Sequence, residues 1–228
     1  MGEFHDRRFP GEDDAYRTAR DALLSAEMDL RRRIEDVAAM RRDLPPGGPL
    51  KEDYVFDEGT RDGEKAIRFS DLFAPGKDSL VVYSFMYAAE APAACPMCTS
   101  LLDTWDGAMP HFGDRINVAV VAKSPIGRVR DWAAERGWSR LRLLSAAANT
   151  YNVDYGAESP DGGQLPAINV FRRTGEDIHH TYNAELFYAD SEAGQHPRHA
   201  DVLWPLWSVF DLTPEGRGAD WFPKLSYD

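Results

Sequence analysis

The chain holds two cysteines in 228 residues, and both stand in Cys95-Pro96-Met97-Cys98. A thiol acts as a nucleophile or a metal ligand only as the thiolate, so the surroundings of the pair decide its chemistry. Upstream, Leu80-Val81-Val82-Tyr83-Ser84-Phe85-Met86-Tyr87 reads as a buried strand. Downstream, Cys98, Leu101, Leu102, Trp105 and Met109 recur at helical spacing on one face, and Pro110 is expected to end or kink that helix. The motif thus opens a helix. At its first position Cys95 meets unpaired N–H groups and the positive end of the helix dipole, which favour the thiolate. Cys98, one turn on, continues the apolar stripe and is shielded from water. The asymmetry makes Cys95 the candidate nucleophile and Cys98 the resolving thiol, which attacks a mixed disulfide on Cys95 and leaves a Cys95–Cys98 disulfide.

A second feature belongs with the thiols. Gln164-Leu165-Pro166-Ala167 puts a proline at the start of a strand, where its missing N–H is tolerated. An ordinary strand-start proline and a cis bond turning the backbone toward the thiols are both open readings; either way Pro166 is a candidate for aligning substrate. Pro96, Met97, Leu165 and Tyr155 are candidates for lining a substrate groove, with Tyr151 and Asp154 beside Tyr155. A rival chemistry is metal binding: His196 and His199 form an HxxH that with Cys95 and Cys98 would complete a tetrahedral Cys2His2 set. Such a metal would occupy the thiolates. A third reading is a non-enzymatic interaction scaffold. His179 and His180 fall in a strand, where neighbours face opposite sides, so they cannot share one ligand. His111, following Pro110, reads as structural.

The elements that must position these groups follow from the patterning. Tyr16, Leu23, Leu30, Val37 and Leu44 recur every seven residues, giving a long helix from Asp13 to about Asp43 with one narrow apolar seam. Pro45-Pro46-Gly47-Gly48-Pro49 ends it, so residues 1–49 are expected to form a helical extension and 50–228 the main domain. The seam is buried either on the body of the chain or on a second subunit, which makes a homodimer through this helix an expectation. Residues 53–57 and 66–69 read as two strands joined through Gly59 to Gly63, and 70–73 as a capped turn. Ile116–Ala122 is a second buried strand, followed by a helix from Pro125 to Gly137 and a short strand over 141–144. Residues 167–173 and 177–182 form a hairpin about Gly175. Leu203 to Leu212 closes the chain as a helix with Pro205 in its first turn. Strands alternating with helices, then a hairpin, predict an α/β fold with a mixed sheet covered by helices.

The whole-chain balance narrows the partners. A net charge of −12 and no block of Lys/Arg argue against nucleic acid and anionic membranes. No stretch approaches the ~20 apolar residues of a membrane helix, and the N-terminus lacks an apolar signal region. Close cysteines without an export signal fit a reducing cytoplasm. No organic cofactor is expected, since no glycine-rich phosphate loop is present.

The order strand, CxxC, helix, strand, helix and proline-led hairpin resembles the thioredoxin fold. The wider run of Asp53-Tyr54-Val55-Phe56, Asp71-Leu72-Phe73, Val82 to Met86, the CPMC itself, Asp106-Gly107-Ala108-Met109-Pro110-His111 and Asp211 to Arg217 resembles the DUF899 group of thioredoxin-like proteins, predicted dithiol–disulfide oxidoreductases. The resemblance implies a three-layer thioredoxin-like domain, a substrate disulfide in a protein or small molecule, and a dithiol reductant to recharge the pair. Departures are informative. Thioredoxins carry Trp before the first cysteine and Gly-Pro between the two; here Ala94 precedes and Pro96-Met97 intervene. They also keep a buried acid on the strand behind the pair, which this strand lacks. Peroxiredoxins place Thr or Ser three residues before the reactive cysteine; Pro92 stands there, which argues against peroxidase chemistry.

Overall fold

The computed structural model describes residues 4–60, 63–190, 192–193, 203–218 and 220–227. It divides into two units, Met1–Pro45 and Pro46–Asp228. In the first, α1 spans Asp14–Arg42. Asp13 caps it, its carboxylate accepting the Tyr16 N–H at 2.7 Å, and Asp14 at the start with Arg41 and Arg42 at the end complement the helix dipole. A single helix cannot bury its own seam of Tyr16, Leu23, Leu30 and Val37.

The second unit is built on a seven-stranded mixed sheet in the order β2-β1-β5-β4-β3-β6-β7. Here β1 is Val55–Thr60, β2 Gly63–Arg68, β3 Ser79–Phe85, β4 Asn117–Ala122, β5 Leu143–Ser145, β6 Ala167–Thr174 and β7 Asp177–Asn183. Helix α2, Pro96–Arg115, links β3 to the parallel β4, and α3, Ile126–Arg136, links β4 to the parallel β5. Right-handed crossovers that step the same way leave their helices on the same face. Accordingly Leu101, Leu102 and Trp105 of α2 and Ile126, Val129 and Ala133 of α3 pack in one cluster with Tyr83, Phe85 and Val120. The alternate residues Leu80, Val82, Ala119 and Val121 face the other way, into an aromatic cluster of Tyr54, Phe56, Phe69, Tyr151 and Phe171. Tyr151 belongs to the short α4, Tyr151–Asp154. The hairpin β6–β7 adds antiparallel to β3. The core β4-β3-β6-β7, with a helix springing from the end of β3, is thioredoxin-like; β5, β1 and β2 extend it. Helix α5, Pro205–Phe210, closes the unit with its proline in the first turn, and Trp204 and Trp207 bury in the α2-side cluster.

Three details depart from the sequence reading. Gly59 lies inside β1 rather than in the turn, paired with Glu64 and Leu143. A Cβ there would stand 2.8 Å from Arg130 Cγ, so α3 can lie over this strand only because the residue has no side chain. Of the end or kink expected at Pro110, the end does not occur, and helix α2 runs on to Arg115. The proline forfeits one bond to the preceding turn, while Met109 and Phe112 hold the helix on the sheet from either side of it, Phe112 packing edge-on to Trp105 at 5.7 Å. His111 therefore sits exposed within the helix rather than at its end. Among the described residues every peptide bond is trans, Leu165–Pro166 included.

Asp106 fixes the far side of α2. Its buried carboxylate accepts the backbone N–H groups of Ser139 at 2.9 Å, Arg140 at 2.7 Å and Leu141 at 3.1 Å, tying the helix to the α3–β5 turn. Each is a charge-assisted bond in a site shielded from water.

Candidate functional site

Strand β3 stops at Phe85, and Met86 turns the chain outward at the carboxyl edge of the sheet. The Met86 carbonyl then accepts the Cys95 N–H at 3.0 Å, closing the intervening loop. Ser124 and Arg128, between β4 and α3, hold that loop in shape. The Ser124 N–H donates to Tyr87 O at 2.9 Å and its hydroxyl to Ala88 O at 2.9 Å. The Arg128 guanidinium donates to the carbonyls of Ala88 at 3.2 Å, Ala91 at 2.5 Å and Ala89, and its centre lies 4.7 Å from the Tyr87 ring centroid. Four carbonyls that no strand partner satisfies are thereby paired.

Cys95 is the N-cap of α2 and Pro96 its first helical residue. Cys95 is half-buried and Cys98 is 3% exposed; both are free thiols. Their acidities are split. The Cys95 thiol falls to about 6, chiefly because the Cys98 S–H donates to its sulfur, with the N–H groups of Cys98 and Met97 adding to the effect and burial opposing it. Cys98 is pushed well above the usual thiol range by donating that same bond, by burial and by the neighbouring negative sulfur. Around neutral pH the pair carries one negative charge, on the outer sulfur.

Tyr83 lies beneath Cys98. Its ring is 2% exposed, its face of β3 is the one α2 covers, and it packs against Trp105 at 5.7 Å. The Tyr83 hydroxyl and the Met86 N–H face the Cys98 sulfur, and the Tyr83 ring and Cys98 pack in one buried cluster. Burial first, then the negative sulfurs beside it, keep the phenol protonated far above its usual range. In the sequence this strand shows only a buried run with no acid behind the pair, and nothing in that run alone singles out Tyr83. Strand alternation held the missing signal, since a tyrosine in register with Phe85 must turn its hydroxyl toward the helix that carries the thiols.

The proposed groove residues divide. Ser84 pairs with Ala167, so the next step along the β3–β6 ladder brings Pro166 alongside Phe85, at the edge from which Met86 leads to the thiols. Pro166 is half-buried and Leu165 is exposed, its N–H held by Ala157 O at 2.9 Å. Pro96 is exposed and Met97 half-buried beside Cys95. Tyr155 lies elsewhere. It packs in the aromatic cluster on the opposite face of the sheet, 5.0 Å from Phe171, and borders a cavity of about 660 Å³ with Asp154, Asn169, His180 and Asn183. The loop that carries Tyr155 follows β5 and crosses beneath the sheet before entering β6, which separates it from α2. In that cavity Asn169 Oδ1 accepts from Asn183 at 2.7 Å and lies 2.9 Å from His180 Nε2, while burial lowers the pKa of His180. His196 and His199 lie outside the described residues. Among the described residues no three His, Cys, Asp or Glu side chains are grouped to hold a metal ion, and no helix is long and apolar enough to cross a membrane.

No curated protein of known function matches the chain. Solved structures similar to it include a peroxidoxin, BcpB, from Mycobacterium tuberculosis, at 18% identity and TM-score 0.46 over 71% of this chain and 94% of that one. The reduced 2-Cys peroxiredoxin of Plasmodium vivax is 14% identical with TM-score 0.47, covering 72% of this chain and 93% of that one. The mitochondrial 2-Cys peroxiredoxin of Plasmodium falciparum is 12% identical with TM-score 0.46, covering 74% and 94%. The family model described as bacterial protein of unknown function (DUF899) matches residues 7–227, and the chain belongs to that family.

Proposed function

We propose that the protein catalyses thiol–disulfide exchange through Cys95 and Cys98. The observation that carries this reading is the unequal pair: a half-buried outer thiol lowered to about 6 at a helix N-terminus, and a buried inner thiol raised well above the usual range. A nucleophile ionised at neutral pH and a partner held in reserve are what sequential exchange needs. The Cys95 thiolate attacks a substrate disulfide, displacing one substrate thiolate and forming a mixed disulfide. Cys98, once deprotonated, attacks the Cys95 sulfur, releases the second substrate thiolate and leaves the Cys95–Cys98 disulfide. An external dithiol supplies the two electrons that reset the pair. The exposed Leu165 and the Pro166 that follows it supply backbone against which a substrate chain aligns beside Cys95.

Reduction of a small aromatic disulfide with dithiothreitol as the recharging dithiol tests the assignment. Cys95→Ser abolishes turnover, and Cys98→Ser accumulates the mixed disulfide, seen as an adduct by intact mass. Full activity in both variants overturns the proposal.

A further inference from the structure

Exchange as proposed leaves one step without a residue. In the resting pair the Cys98 proton is held by the Cys95 thiolate, but once Cys95 is in a mixed disulfide that acceptor has lost its charge. Cys98 must then become a thiolate in a site 3% open to solvent. A buried anion without donors is costly enough to stay protonated. Two donors face this sulfur: the Met86 N–H, fixed by the backbone, and the hydroxyl of Tyr83, whose ring packs in the same buried cluster as Cys98 where α2 covers β3. The titratable groups facing Cys98 are Cys95 on its own helix and Tyr83 on the strand below.

Resting on that reading, we infer that Tyr83 is a catalytic residue of the resolving step, its hydroxyl donating a hydrogen bond that stabilises the Cys98 thiolate as it attacks the mixed disulfide. The phenol stays protonated throughout and is not the base. The Cys98 proton passes to solvent, the new bond forms between the two cysteine sulfurs, and the bond from Cys95 to the substrate sulfur breaks with its electron pair leaving on the substrate thiolate. The chemistry also supplies timing. Formation of the mixed disulfide removes the neighbouring negative charge and the acceptor of the Cys98 proton, the two influences of Cys95 that held Cys98 protonated, so the inner thiol is released for attack only after the outer one has reacted. The position fills, with a neutral donor, the place behind the pair where the thioredoxin pattern has an acid.

The test is single-turnover reaction of the reduced protein with 5,5′-dithiobis(2-nitrobenzoate), in which Cys95 attack liberates one nitrothiobenzoate and Cys98 attack liberates the second. Tyr83→Phe keeps the ring and removes the hydroxyl. The first phase is expected to keep its rate to within about a factor of two. The second phase is expected to slow about tenfold at neutral pH and its pH midpoint to rise by about one unit, the effect of losing one hydrogen bond to a charged sulfur. Thermal melting of the variant checks that the fold is intact, and loss of folding would show both phases altered together. A Tyr83→Phe second phase with the wild-type rate and midpoint overturns the role of Tyr83. A wild-type protein that never releases the second equivalent overturns the exchange reading itself.

Discussion

Replacing Cys98 separates the two sources of the Cys95 acidity. In the structure the largest influence is the S–H donated by Cys98; the N–H groups of Cys98 and Met97 at the helix mouth come after it. Cys98→Ala removes the side-chain donor and leaves the backbone donors and the helix in place. A hydrogen bond to a charged group contributes roughly 1.5–3 kcal/mol, and one pKa unit is about 1.4 kcal/mol, so Cys95 is expected to rise by about one to two units. Cys98→Ser keeps an O–H donor at the same position and is expected to leave Cys95 near its wild-type value. The pH dependence of iodoacetamide alkylation reads the thiolate directly, and each variant has one reactive cysteine, so the assignment is unambiguous. If Cys98→Ala titrates like the wild type, the low value comes from the helix mouth alone. If Ser and Ala raise it equally, the pair is not coupled by a hydrogen bond; either result refutes the reasoning.

Other consequences can be measured on the same protein. Asp106→Ala strips the acceptor from three backbone N–H groups of the α3–β5 turn and is expected to destabilise the fold by about 2–4 kcal/mol in urea unfolding, a change below about 0.5 kcal/mol refuting the role. Arg128→Met leaves the loop before Cys95 with unpaired carbonyls, and the alkylation rate of Cys95 at a fixed pH well above its midpoint should change severalfold while the Asp106 turn is untouched. Because Cys95 is depressed in the folded state, the folded protein binds fewer protons than the unfolded chain between about 6 and the ordinary thiol range near 8.5. The stability advantage of wild type over Cys95→Ser should therefore grow as pH rises through that window, and one that shrinks contradicts the assignment. For the homodimer we propose through α1, Leu30→Glu in the seam should lower the mass seen by light scattering from dimer to monomer; an unchanged dimer sends the interface elsewhere.

The strand, the CxxC, the helix stripe and the closing hairpin were legible because each is a local pattern: a buried run, a 3.6-residue spacing, a turn glycine. What was not legible depended on partners distant in sequence. Gly59 reads as a loop residue until Arg130 of α3 lies across it. Pro110 reads as a helix end or a kink, and packing of Trp105 and Phe112 on either side of it carries the helix through. Tyr155 reads as a neighbour of the thiols because its loop leads to Pro166, but the direction in which the chain passes under the sheet is a matter of topology rather than of the residues themselves. Asp106 stood in the family pattern without a physical reason, which the three amides of a turn more than 30 residues away supply.

Asymmetry between the thiols does not come from the CxxC spacing, which is symmetric in what it allows. It comes from how the spacing meets β3. The Met86 backbone serves both cysteines, its carbonyl taking the Cys95 N–H and its N–H facing the Cys98 sulfur. One turn of helix then sets Cys98 over the face of β3 that carries Tyr83, and Cys95 over the edge where the strand has ended. Shifting the helix by one residue against that edge would bring a different side chain over Tyr83 and rotate the motif by about 100°. The inner thiol would lose its donor and the outer one its exposure. The register of α2 on β3, held at the helix start by Met86 and at mid-helix by Asp106, is therefore the structural variable that makes one sulfur a nucleophile and the other a resolver.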